Sequence, residues 1–70
     1  MKIFIIAESD DILNLVVNLL FTYRMLIDYG ITLNRNSLSL MQIKIKSDLS
    51  DVKKLIKSKF GNKVKIQLSK

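Results

Sequence analysis

Hydrophobic and polar positions change their period several times along the chain, and each change marks an element. Lys2 to Ala7 is a continuous apolar, β-branched run with Ile3, Ile5 and Ala7 on one side and Phe4 and Ile6 on the other. This predicts a central strand, apolar on both faces. From Asp10 to Tyr29 the apolar residues recur at helical spacing, predicting one helix of about 20 residues and roughly 30 Å. At 100° per residue, Ile12, Leu15, Val16, Leu19, Leu20, Tyr23, Leu26 and Ile27 share a broad inner face. Leu13, Val17, Phe21 and Met25 follow at i, i+4 spacing on the far side, a stripe interrupted laterally by Asn14, Asn18, Arg24 and Asp28. Ser9 or Asp10 is expected to cap the start, and Gly30 to occupy the C′ position after Tyr29.

Ile31 to Leu33 then predicts a short strand, Asn34 to Ser37 a tight turn, and Leu38 to Lys46 a longer strand, together a β-hairpin. In the longer arm Met41, Ile43 and Ile45 share one face and Gln42, Lys44 and Lys46 the other. Leu38 and Leu40 fall on the polar parity, which calls either for a bulge near Leu40 and Met41 or for an apolar end to the outer face. Asp48 or Ser50 opens a second helix that runs to about Phe60, with Leu49, Val52, Leu55, Ile56 and Phe60 on one face. Lys53, Lys54, Lys57 and Lys59 lie on its wet side, and Gly61-Asn62 stops it. Lys63 to Leu68 alternates, with Val64, Ile66 and Leu68 opposed to Lys63, Lys65 and Gln67.

The order βαββαβ predicts a single α+β domain over residues 1–70 with a ferredoxin-like fold. In that arrangement the four-stranded antiparallel sheet has the order 4-1-3-2, both helices cover one face, and the first and third strands are central. The face away from the helices is then expected to carry Phe4, Ile6, Leu40, Gln42, Lys44, Lys46, Lys63, Lys65 and Gln67.

Length and composition narrow the function. A 70-residue domain buries only about 60% of its unfolded surface, so association is one expected source of stability. The chain has no Cys and no His, which removes disulfides, thiolate metal sites and the commonest general base. Glu8, Asp10 and Asp11 after the first strand have the look of an acidic magnesium corner, but helix capping accounts for Ser9, Asp10 and Asp11. The expectation is a non-enzymatic protein with no catalytic residues, no metal and no cofactor.

Charge is divided unevenly along the chain. From Met1 to Ile43 three basic residues face four acidic ones, whereas from Lys44 to Lys70 nine lysines face only Asp48 and Asp51, giving the net +6. A polyanionic partner, nucleic acid first, is the functional reading of that asymmetry, and a solubility device is the plain one. Heavy use of Ile, Lys and Asn fits an A+T-rich bacterial or phage genome. The uncharged run from Ile12 to Tyr23 falls short of the about 20 apolar residues a membrane span requires, and Met1 to Glu8 reads as a strand rather than a signal segment. A cytoplasmic protein without membrane contact is expected.

Domains of the RNA-recognition-motif class bind single strands on a sheet of this topology, with aromatics stacking on bases and cations holding phosphates. Here Leu40 to Lys46 lacks the glycines and aromatics of that signature, and only Phe4 is available to stack. The expectation is a small regulatory protein that binds RNA or single-stranded DNA through Phe4, Gln42, Lys44, Lys46, Lys63, Lys65 and Gln67. A homodimer is expected through Leu13, Val17, Phe21 and Met25. The alternative is an inhibitor or adaptor that binds another protein through that helix stripe or through the sheet face.

Overall fold

The structure is a computed structural model that describes residues 1–68. Its elements are β1 (Lys2–Ala7), α1 (Asp10–Thr22), β2 (Leu26–Arg35), β3 (Leu38–Ile45), α2 (Leu49–Phe60) and β4 (Val64–Leu68), with a 3₁₀ turn over Gly61–Lys63. One antiparallel sheet has the order β2-β3-β1-β4, the expected order read from the other edge and consistent with the ferredoxin-like fold. Ile3, Ile5 and Ala7 of β1, Met41, Ile43 and Ile45 of β3, and Val64 of β4 are buried together with Leu13, Val16 and Leu20 of α1 and Val52 and Ile56 of α2. The register puts all these strand residues on one face, so both helices lie on that face of the sheet and the other is open. No helix among the described residues is long and apolar enough to cross a membrane.

The expected helix over Asp10 to Tyr29 divides in two. α1 stops at Thr22, and Arg24 takes a left-handed φ of 58°. Its N–H donates to Phe21 O at 3.0 Å and that of Met25 to Leu20 O at 2.9 Å. These are the two hydrogen bonds of a Schellman motif, and at the two positions of its usual apolar contact Leu20 is in the core and Met25 packs against it. An arginine in the position that glycine normally takes hides this stop from the sequence. Beyond it the β-branched and aromatic residues of Leu26–Arg35 pair along β3, where a longer helix would have left the edge of β3 without a partner.

α1 is also rotated about its axis by roughly 60° from the expected phase, at 100° per residue. Leu13 is fully buried, while Leu15, expected inside, is 55% exposed. The helix is apolar nearly all round, so its spacing alone could not choose between faces. α2, whose outer side is lysine, lies as expected, with Val52 and Ile56 buried and Leu49, Leu55 and Phe60 packed against the core.

The β2–β3 hairpin closes on Asn36 and Ser37, with φ of 52° and 65°. Positive φ at both central residues defines a type I′ turn, whose twist matches that of the strands. β3 itself has no bulge, and Leu38 and Leu40 do lie on the open face. The irregularities are in β2 instead. Ile27 is one extra residue between Leu26 and Asp28, and Gly30 and Ile31 together oppose Gln42.

Candidate binding face of the sheet

Strand register orders the open face into rows. Asp28, Lys44 and Lys2 form one row across β2, β3 and β1. The next runs from Gly30 and Ile31 through Gln42 and Phe4 to Gln67. Leu33, Leu40, Ile6 and Lys65 make the third, and Arg35 and Leu38 close the face beside the turn. The two central rows are mainly apolar, with amides beside Phe4 and Lys65 at the β4 end of the third, and further cations stand in the first row and at Arg35. Lys2 and Lys44 are direct cross-strand partners, an arrangement of like charges that is unfavourable unless an anion or a carboxylate neighbour offsets it. Asp28, on the other flank of Lys44, is such a neighbour. From the Lys2 row to the Ile6 row the face spans four residue steps of β1, about 13 Å at strand rise.

A shallow depression of about 460 Å³ lies on this face, lined by Phe4, Leu33, Asn34, Arg35, Leu40 and Gln67. Of the residues expected on the face, the register brings Phe4, Gln42, Lys44, Lys65 and Gln67 together. Lys46 lies beyond the end of β3, where its backbone N–H donates to Met25 O at 3.0 Å. Lys63 sits in the 3₁₀ turn rather than in β4 and lines a second, smaller depression with Ile6, Glu8, Leu38 and Lys65. Lys2, Leu33 and Arg35 also belong to the face and were not anticipated. The parity of Lys2 with Phe4 and Ile6 already pointed there and Leu33 lies in the expected second strand, whereas Arg35 needed the true extent of β2.

The expected helix stripe does not exist as a surface. Leu13 is wholly inside, Val17 and Met25 are half-buried against the core, and only Phe21 is open to solvent, at 72% exposure. The early end of α1 moved Met25 into the Schellman turn, and the rotation of the helix turned Leu13 inward. Exposed apolar side chains gather instead on β2, where Ile27, Tyr29, Ile31 and Leu33 are each more than half exposed.

The acidic corner has a structural task. Ser9 caps α1, its side-chain oxygen accepting from Ile12 N–H at 3.3 Å. Asp10 instead reaches the hairpin: its Oδ1 accepts from Asn34 Nδ2 at 3.1 Å and from the Ser39 hydroxyl. Asn34 Nδ2 also donates to Ser39 Oγ at 3.0 Å, so the buried Ser39 is satisfied and the start of α1 is tied to β2 and β3. The hydrogen bond from Ser39, then that from Asn34, favours the charged carboxylate and lowers the Asp10 pKa below its ordinary 3.8. Among the described residues no group of three acidic, His or Cys side chains is placed to hold a metal ion.

Comparison of the chain with protein-family models, with characterised proteins and with solved structures finds no match, so its chemistry has to be inferred from its own residues.

Proposed function

We propose that this protein is a non-enzymatic binding module that takes up a single nucleic-acid strand, RNA or single-stranded DNA, on the open face of its sheet. The observation that carries this reading is the row through Phe4. The ring stands directly between Gln42 and Gln67 in register, with Lys2 and Lys44 on one side of the row and Lys65 and Arg35 on the other. A base stacked on Phe4 would meet amide donors and acceptors at its edge, and the cations at both ends would meet the phosphates that follow it.

Titration of labelled RNA and DNA oligonucleotides over a range of salt tests this. Phe4→Ala is expected to remove about 1–3 kcal/mol of binding, and Lys44→Gln and Lys65→Gln each to lower the salt slope by roughly 0.7. Lys54→Gln and Lys57→Gln on α2, across the sheet, are expected to leave both unchanged. Equal sensitivity to the two lysine sets, or no binding at about 50 mM salt, rejects the reading. The apolar row of Leu33, Leu40 and Ile6 favours one alternative, a protein-binding adaptor that uses the same face, and an absence of nucleic-acid binding would leave that as the better account.

A further inference from the structure

β2 is the edge strand with most to hide. It is ten residues long and among the described residues pairs only with β3, so its outer edge meets no strand there. Ile31 is 79% exposed, and Ile27, Tyr29 and Leu33 are each more than half exposed. Edge strands are normally protected from pairing by lysine, proline or shortness, and β2 contains neither residue and is not short. Its bulges are a further protective device, but the one at Gly30 and Ile31 has another consequence.

Because two residues share one position there, Asp28 and Arg35 both lie on the open face, opposite Lys44 and Leu38, despite their unlike parity in sequence. Counting Gly30 and Ile31 as one, the positions from Asp28 to Arg35 are 28, 29, 30/31, 32, 33, 34 and 35, seven in all with Thr32 at the centre. An odd number is what a two-fold axis perpendicular to the sheet requires, since directly opposed residues must lie on the same face. Antiparallel pairing of two β2 strands about Thr32 then sets Asp28 of each copy opposite Arg35 of the other. It also sets Ile31 opposite Leu33 twice on the open face, and Tyr29 opposite Asn34 twice on the helix face.

We propose that a second copy of this chain docks on β2 in this register, joining the two sheets into one of eight strands with Thr32 on the two-fold axis. The occupant is a second copy rather than another protein because the strand is complementary to itself. The ion pairs fall at the two ends, where each Asp28 carboxylate also accepts from its own Tyr29 N–H at 2.8 Å, the exposed apolar side chains face each other between them, and both strand edges gain ladder partners in one step. The two open faces would become one continuous surface, with β4 left as its outer edge on each side.

Two measurements test it. In sedimentation equilibrium the wild type is expected to dimerise with a dissociation constant at or below about 100 µM. Arg35→Asp is expected to weaken the dimer by about tenfold or more, and Asp28→Lys added to it to restore the dimer by returning opposite charges to both pairs. Since the chain has no cysteine, Thr32→Cys can form a disulfide only with its own counterpart, and under mild oxidation it is expected to give a covalent dimer. Circular dichroism confirms that each variant folds. A wild-type monomer at about 100 µM, a dimer indifferent to both charge changes, or cross-linking by Phe21→Cys in place of Thr32→Cys would overturn the proposal.

Discussion

α1 and α2 cover the same face of the sheet, yet they expose their boundaries and faces in sequence to different degrees. α2 has one apolar side, a lysine-rich outer side and a glycine directly after Phe60. Its phase and its end are both written locally. α1 carries apolar residues around most of its circumference and stops at an arginine in a left-handed conformation, six residues before the nearest glycine, Gly30. Hydrophobic periodicity carries phase information only where a polar side exists for contrast, and a helix stop is visible only where the residue at C′ is one that favours positive φ.

The strongest way to break that contrast is through the buried leucine. If Leu13 and not Leu15 is the core residue of α1, Leu13→Ala should cost about 2–5 kcal/mol, while Leu15→Ala should stay within about 0.5–1 kcal/mol. Urea denaturation of the two variants decides this, and the reverse order would restore the helix phase read from spacing. For so small a domain the first change is a large part of the total stability.

The two helix ends should respond in opposite directions. Gly61 has a φ of +61° with nothing near its Cβ direction, so Gly61→Ala is expected to cost about 1–3 kcal/mol through backbone strain alone. Arg24 holds a similar φ with a side chain present. Arg24→Gly is therefore expected to be neutral or to stabilise by up to about 1 kcal/mol, the relief of left-handed strain being partly offset by glycine's greater freedom when unfolded. Thermal melts of the two variants on one background sharpen the comparison, and a destabilised Arg24→Gly would show that the arginine side chain itself matters at the end of α1.

The smallest effect concerns the helix starts. Asp48 precedes α2 without a side-chain capping hydrogen bond, whereas Asp10 ties α1 to the hairpin through Asn34 and Ser39. The folded pKa of Asp10 is lowered, so its contribution is fully present above the unfolded value, about 3.9, and is lost as pH falls through the folded one. The stability gap between wild type and Asp10→Asn should thus be constant near neutrality and shrink in acid. Urea midpoints measured at several pH values below about 5 check this, and a gap that does not change with pH would mean the carboxylate's charge is not what holds the contact.

The binding face was legible to the extent that strand parity defines it. Phe4, Gln42, Lys44, Lys65 and Gln67 follow from alternation in three strands once the topology is known. Lys46 and Lys63 were misplaced because strand ends depend on what lies beside them. The chain leaves β3 at Ile45 to meet Met25, and the 3₁₀ turn takes Lys63 before β4 begins. Arg35 was out of reach because it falls in the expected turn over Asn34 to Ser37, and the full exposed edge of β2 because its first residues, Leu26 to Tyr29, read as the tail of a helix.

By itself the sequence determined the order of elements, the central place of β1 and β3, the inner face of α2 and the lysine-bearing side of β3, since each of these rests on a period or a local stop. Only the tertiary structure decided where α1 ends, which way it faces, how far β2 runs, where β2 bulges and what Asp10 holds. Where α1 ends and how far β2 runs share one physical reason. Leu26 to Tyr29 is apolar enough for either a helix or a strand, and what chooses between them is the open edge of β3, whose backbone groups must find partners from a segment far from them in the chain.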